Sequence, residues 1–205
     1  MARAFRRKGR GEDLRYVASL DADERDVVAS LMEQVAGLLE PPEQTATGDE
    51  AFDALVAGIS LDGDPGAGDA GPAQEHPGDR DPALDRLLPA AHREDAEASR
   101  EFRRLTEGGL RHRKADGLQR AVAALRTPGG DLALDAPAAG TFLTALTDVR
   151  LVLGSRLGLE SDEDLDALEA RAARLDPADP LGHALALYDF LTWLQETLAS
   201  ALLRA

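Results

Sequence analysis

The side chains best equipped for chemistry are few and scattered. Histidines stand at His76, His92, His112 and His183, no two of them four residues apart, and the nearest thing to a ligand cluster is His92 with Glu94 and Asp95. A metal ion needs three or four ligands converging at a fixed geometry, so this spacing predicts solvated surface imidazoles. Cysteine is absent altogether. That excludes disulfides, thiolate nucleophiles, zinc ribbons and a thiol redox switch within the chain. The run Gly154-Ser155-Arg156-Leu157-Gly158 lacks the Gly-x-x-x-x-Gly-Lys frame of a phosphate-binding loop. It reads as a helix end with Gly158 as a left-handed cap. The carboxylates Glu160, Asp162, Glu163, Asp164 and Asp166 lack the alternating ligands and central glycine of an EF-hand. Following Ser161, they read as the first turn of a helix, where negative charge meets the positive end of the dipole. No nucleophile–base or carboxylate–metal arrangement can be assembled. The sequence therefore predicts no enzyme, no catalytic or metal-ligating residue and no cofactor.

Two charged features remain. Residues 100–126 hold eight basic side chains against Glu101, Glu107 and Asp116, in a chain of net charge −15. Arg103, Arg104, Arg111, Arg113 and Lys114 are the candidates for contact with an anionic partner. Phe102 is the sole aromatic for stacking there, so pairing within the fold or with a protein is favoured over nucleic acid. Arg150 is the second feature. On a helix over 137–157 it projects between Leu157 and Leu143, inside the apolar arc. A charge in that place needs a partner or a route to solvent. Asp189 and Glu196 lie on the polar flank of the last helix with Trp193 beside them. The expected arrangement is Arg150 held by Asp189, with Glu196 as the fallback; the functional alternative is a pocket for an acidic ligand or partner.

The elements that must position these residues are mostly helical. Phe142, Leu143, Leu146, Val149, Val152, Leu153 and Leu157 recur at three- and four-residue steps. A broader apolar run spans residues 181–203, around Tyr188, Phe190, Leu191, Trp193 and Leu194. Its apolar side chains cover more than half the circumference, beyond the roughly 100° a surface helix needs. The excess predicts a homodimer through the last helix. Asp21 with Glu24 three residues later is a capping box, opening a helix over 22–39. Val27, Val28, Leu31, Met32, Val35, Leu38 and Leu39 form its inner face, and Pro41-Pro42 follow. A short helix is expected over 49–57, another over 82–88 with Asp81 as cap, a third over 94–105, a break at Gly108-Gly109, and a further helix over 110–126. Short strands are expected at 14–20 and 131–135. Ser19-Leu20-Asp21-Ala22 and Ala133-Leu134-Asp135-Ala136 are alike, each opening a helix, which suggests two strand-then-helix units whose strands pair.

At 205 residues the chain suits one domain, taken as 1–205. Residues 1–12 form a flexible basic tip, with Arg3, Arg6, Arg7, Lys8 and Arg10. Residues 60–80, dense in Gly, Pro and Asp, form a disordered loop. No apolar segment follows the basic start, as a secretory signal would require, and no run approaches the roughly 20 residues of a membrane span. The expectation is a cytoplasmic protein with no membrane partner. The predicted class is mainly α: a single compact domain of about six helices with at most two short strands.

Three stretches resemble a known family. They are residues 81–89, Asp81-Pro82-Ala83-Leu84-Asp85-Arg86-Leu87-Leu88-Pro89, leading into Glu101-Phe102-Arg103-Arg104-Leu105-Thr106; Asp148-Val149-Arg150-Leu151-Val152-Leu153-Gly154-Ser155-Arg156-Leu157-Gly158; and Tyr188-Asp189-Phe190-Leu191-Thr192-Trp193-Leu194-Gln195-Glu196. Together they look like an actinobacterial family long catalogued as a domain of unknown function and labelled AosR-like oxidative-stress transcriptional regulators. The resemblance implies an intracellular regulatory role with the transcription machinery, including a sigma factor as partner. It also implies a sensing cysteine pair, which this sequence lacks. The sequence thus points to a non-catalytic regulatory or adaptor protein working through protein contacts, with direct DNA binding through residues 100–126 as the alternative.

Overall fold

The computed structural model describes residues 2–40, 81–89, 96–174 and 179–204. Residues 1–40 with 82–205 make one compact unit and residues 41–81 a second; the account below concerns the first. The helix expected over 49–57 and the loop expected over 60–80 lie outside the described residues.

Strand β1 (Arg3–Lys8), a one-turn 3-10 helix (Gly11–Asp13) and β2 (Arg15–Ser19) lead into α1 (Ala22–Leu39). Helix α2 (Pro82–Leu87) and the long α3 (Ala96–Arg126) precede β3 (Leu132–Leu134), and α4 (Ala136–Arg156), α5 (Asp162–Ala172) and α6 (Pro180–Leu203) complete the order. The mainly α class with about six helices holds among the described residues. The sheet has three strands, not two, all antiparallel in the order β1-β2-β3. The additional strand is the basic tip, expected to be flexible. It is ordered because Phe5 is buried and meets the Phe142 ring edge-on, with centroids 6.1 Å apart. One apolar side chain among five charged or small ones was too little periodicity to announce a strand.

The two strand-then-helix units pair as expected, with Tyr16 opposite Leu134, Val17 opposite Ala133 and Ala18 opposite Leu132. Their helix entries are alike. Asp21 caps α1 at φ −73°, ψ 176° and Asp135 caps α4 at φ −74°, ψ 176°. Each accepts a hydrogen bond from the amide three residues on, and the Glu24 carboxylate in turn accepts one from the Asp21 amide. The inner face of α1 is turned slightly from the one expected: Ala29 is buried and Val27 is 44% exposed.

Helix α3 departs from expectation most. It runs unbroken through Gly108-Gly109, where a break was predicted. Glu107 and Arg111 form an ion pair at 2.7 Å across the diglycine, with both side chains largely buried. That i,i+4 pair holds together the turn that two glycines weaken. Helix α4 is the central element, packing against α1, α2, α3 and α6. At its end Gly158, at φ +73°, lets Leu159 N–H reach Gly154 O and its own N–H reach Ser155 O, the Schellman arrangement. Ser161 and Asp164 then form a capping box that starts α5.

Candidate functional site

Because α4 is enclosed on several sides, its polar residues must find partners on neighbouring helices. Asp148 and Arg150 are two residues apart, about 200° around the helix, and so face different neighbours. Asp148 is only 2% exposed and turns to α3, where Lys114 Nζ lies 2.6 Å from Oδ1. Burial pushes this carboxyl above its ordinary value, and the hydrogen bond and charge of Lys114 oppose that shift.

Arg150 turns to α6. Its Nη1 donates to Gln195 Oε1 at 2.9 Å, its Nη2 to the Tyr188 hydroxyl at 3.3 Å, and its guanidinium carbon stands 5.1 Å from the centre of the Tyr188 ring. The Nε is buried without a hydrogen-bond partner. Asp189 and Glu196, the expected partners, are exposed and form no ion pair with Arg150. The reason is angular. Tyr188 and Gln195 are seven residues apart and share one face of α6, while their sequence neighbours Asp189 and Glu196 are rotated by about 100° toward solvent. Trp193 is half-buried and stacks on Phe190 at 5.9 Å, on a different side of α6 from the arginine's partners. The polar cluster expected from Arg150, Asp189, Trp193 and Glu196 is therefore replaced by Arg150, Tyr188 and Gln195.

The basic candidates of α3 separate in the same way. Arg111 pairs with Glu107 and Lys114 with Asp148, while Arg113 is exposed. Further along, Arg126 pairs with Glu33 at 2.7 Å, joining α3 to α1. Arg103 and Arg104 lie where the side chains are outside the described residues. Asp148 was missed in the sequence. Its spacing to Ala145 and Val152, three and four residues away, was the available signal, since it places a carboxylate on a second buried stripe. Among the described residues no group of three His, Asp or Glu is placed to hold a metal ion, and no helix is long and apolar enough to cross a membrane.

Fold and site together define a mainly helical domain with a small antiparallel sheet, in which a central helix is tied by polar contacts to both flanks. The chain belongs to the family described as "Domain of unknown function (DUF2017)", whose model matches residues 2–202. No curated protein and no solved structure matches it.

Proposed function

We propose that this chain is a non-catalytic, intracellular regulatory or adaptor protein that works through protein contacts. In this reading it resembles the AosR-like actinobacterial regulators and meets a sigma factor or another part of the transcription machinery, without a cysteine switch. The observation that carries the choice is how the α3 cations are used. Arg111, Lys114 and Arg126 are each engaged by a carboxylate of this same chain. A cation already paired within the fold must give up its carboxylate before it can meet a phosphate, which weakens the alternative of direct DNA binding through residues 100–126. A second copy of the chain is also a partner in this reading, through α6, where Leu203 is 86% exposed and Phe190 and Trp193 are half-buried.

Fluorescence anisotropy with a short DNA duplex across a salt series tests the choice. The protein-contact reading expects no binding that falls steeply with salt; a steep slope would install the DNA-binding alternative. Co-purification with a sigma factor or RNA polymerase is the positive expectation. Light scattering should give a dimer mass at micromolar concentration, and a monomer mass would remove the self-association.

A further inference from the structure

Side chains of the three strands alternate between two faces of the sheet. Phe5, Tyr16, Ala18, Leu132 and Leu134 belong to the core, whereas Val17 and Ala133, directly opposite each other, do not. On that outer face Val17 also stands opposite Arg6, and Lys8 stands opposite Arg15. In a regular strand Arg3, three residues from Arg6, would turn to the other side. The register shift between the two inserts one extra residue and sets Arg3 opposite Ser19, on the same side as Arg6. Arg3, Arg6, Lys8, Arg15 and Ala133 are all exposed, so among the described residues no element covers this face. A shallow cleft of about 430 Å³ opens on it, lined among others by Lys8, Asp13, Arg15, Val17, Asp131 and Ala133.

Four cations thus share one face with little to neutralise them. Arg6 reaches Asp131 at 3.8 Å, the long end of an ion pair. Arg15 donates to the backbone carbonyls of Glu12 and Leu14, and among the described residues Arg3 and Lys8 form no ion pair. The Asp131 carboxyl is held below its ordinary value first by the hydrogen bond from the Ser19 hydroxyl, and then by the charges of Arg6, Arg3 and Lys8 against the effect of burial. On α3, by contrast, Arg111, Lys114 and Arg126 each have a carboxylate. Like charges directly opposite one another destabilise a sheet, and Lys8 with Arg15 is such a pair. Guarding an edge strand accounts for cations on β1, but not for Arg15 on the central strand.

We propose that the outer face of the sheet, centred on Lys8 and Arg15, docks an acidic surface of a protein partner, whose carboxylates take up the charge that this fold leaves unpaired. The inference rests on the protein-contact reading and adds to it a surface and a partner chemistry. Nucleic acid fits less well. Phe5 and Tyr16, the aromatics of these strands, belong to the core and offer no base a stacking platform. Asp13 and Asp131 would be set against phosphates, and a chain of net charge −15 repels a polyanion at long range.

The test uses the full chain and a short fluorescent polyglutamate peptide, followed by anisotropy. Binding should weaken as salt rises. Lys8→Glu should weaken it by at least about tenfold. The same variant should keep its thermal midpoint at or above that of wild type, because an opposite-charge pair replaces a like-charge one. Arg113→Glu makes the same change of net charge on α3 and should leave affinity within about twofold of wild type. Should Lys8→Glu fail to fold, Arg3→Glu poses the same question. No binding at about 100 μM, equal losses from Lys8→Glu and Arg113→Glu, or preference for a DNA duplex over the peptide each overturns the proposal. If a sigma factor co-purifies equally with wild type and Lys8→Glu, this surface is wrong while the protein-contact reading stands.

Discussion

Across the seam between α3 and α4 a buried carboxylate meets an ammonium. Two residues further along, across the seam between α4 and α6, a guanidinium meets a hydroxyl, an amide and an aromatic face. The first seam is electrically closed: removing either partner leaves a charge in the interior. The second is open, because Arg150 keeps its full charge with neutral partners and a buried Nε that nothing accepts. A closed pair anchors two helices to each other. An open one leaves a charge whose hydrogen-bond partners are all neutral.

The largest effect that can break this comparison is Lys114→Met. It strands the Asp148 charge, and breaking a buried pair in this way costs about 3 kcal/mol at neutral pH, read by denaturant unfolding. The pH dependence has a definite sign. The folded-state value of Asp148 lies above the ordinary 3.8 because of burial, so the folded state takes up a proton first as pH falls. Stability arising from the neutral carboxyl is fully present below the unfolded value and lost as pH rises through the folded one. The deficit of Lys114→Met should therefore shrink on acidification through that window. A deficit unchanged down to pH 4, or the failure of Lys114→Met/Asp148→Leu to recover most of the loss, would show that the pair is not what anchors α3.

Arg150→Met comes next. It removes a charge without stranding another and keeps the apolar stem, so a loss of about 1 kcal/mol or less is expected. Asp189→Ala and Glu196→Ala should each stay within about 0.5 kcal/mol of wild type. Thermal unfolding of the three variants checks this. A loss for Arg150→Met as large as that for Lys114→Met would mean that the second seam is closed as well.

The glycines on the two flanks give the smallest effects. An added Cβ at Gly108 in α3 meets nothing within 4 Å, and Gly108→Ala should stabilise by about 0.5–1 kcal/mol. At Gly154 in α4 the added Cβ would stand 3.6 Å from Tyr188 Cε2, an ordinary contact. Gly154→Ala should gain about 0.5 kcal/mol or less, because it also presses on the ring that supports Arg150. Matched denaturant midpoints distinguish the two; a net loss at Gly154 would show that the arginine's ring support has no slack.

What was legible in the sequence was what local rules govern. The Asp21 and Asp135 helix entries, the Gly158 turn and the helix start after Ser161 follow from residues within one turn, and the pairing of the two strand-then-helix units was read from the likeness of their two entries. What escaped, the α3 diglycine apart, depended on partners far along the chain. The α3 diglycine was read by its own propensity, and the Glu107–Arg111 pair overrode it. Arg150 was recognised as a charge inside an apolar arc, but its partners were chosen by charge, and the rotation of α6 presents Tyr188 and Gln195 instead. Asp148 went unnoticed because its answering cation lies 34 residues away on another helix.

Strand β1 has a consequence for the order in which the molecule assembles. Its contacts are with β2, close in sequence, and with α6, whose Thr197 is 192 residues from Phe5. Loops that long close slowly, since chain entropy is lost before the contact repays it. The pairing of β1 with β2 can form early as a hairpin, but burial of Phe5 against Phe142 must wait for α4, and support from Thr197 must wait for α6. The segment nearest the start of the chain is therefore among the last to be sealed. Until then its arginines are what keep an unfinished strand in solution.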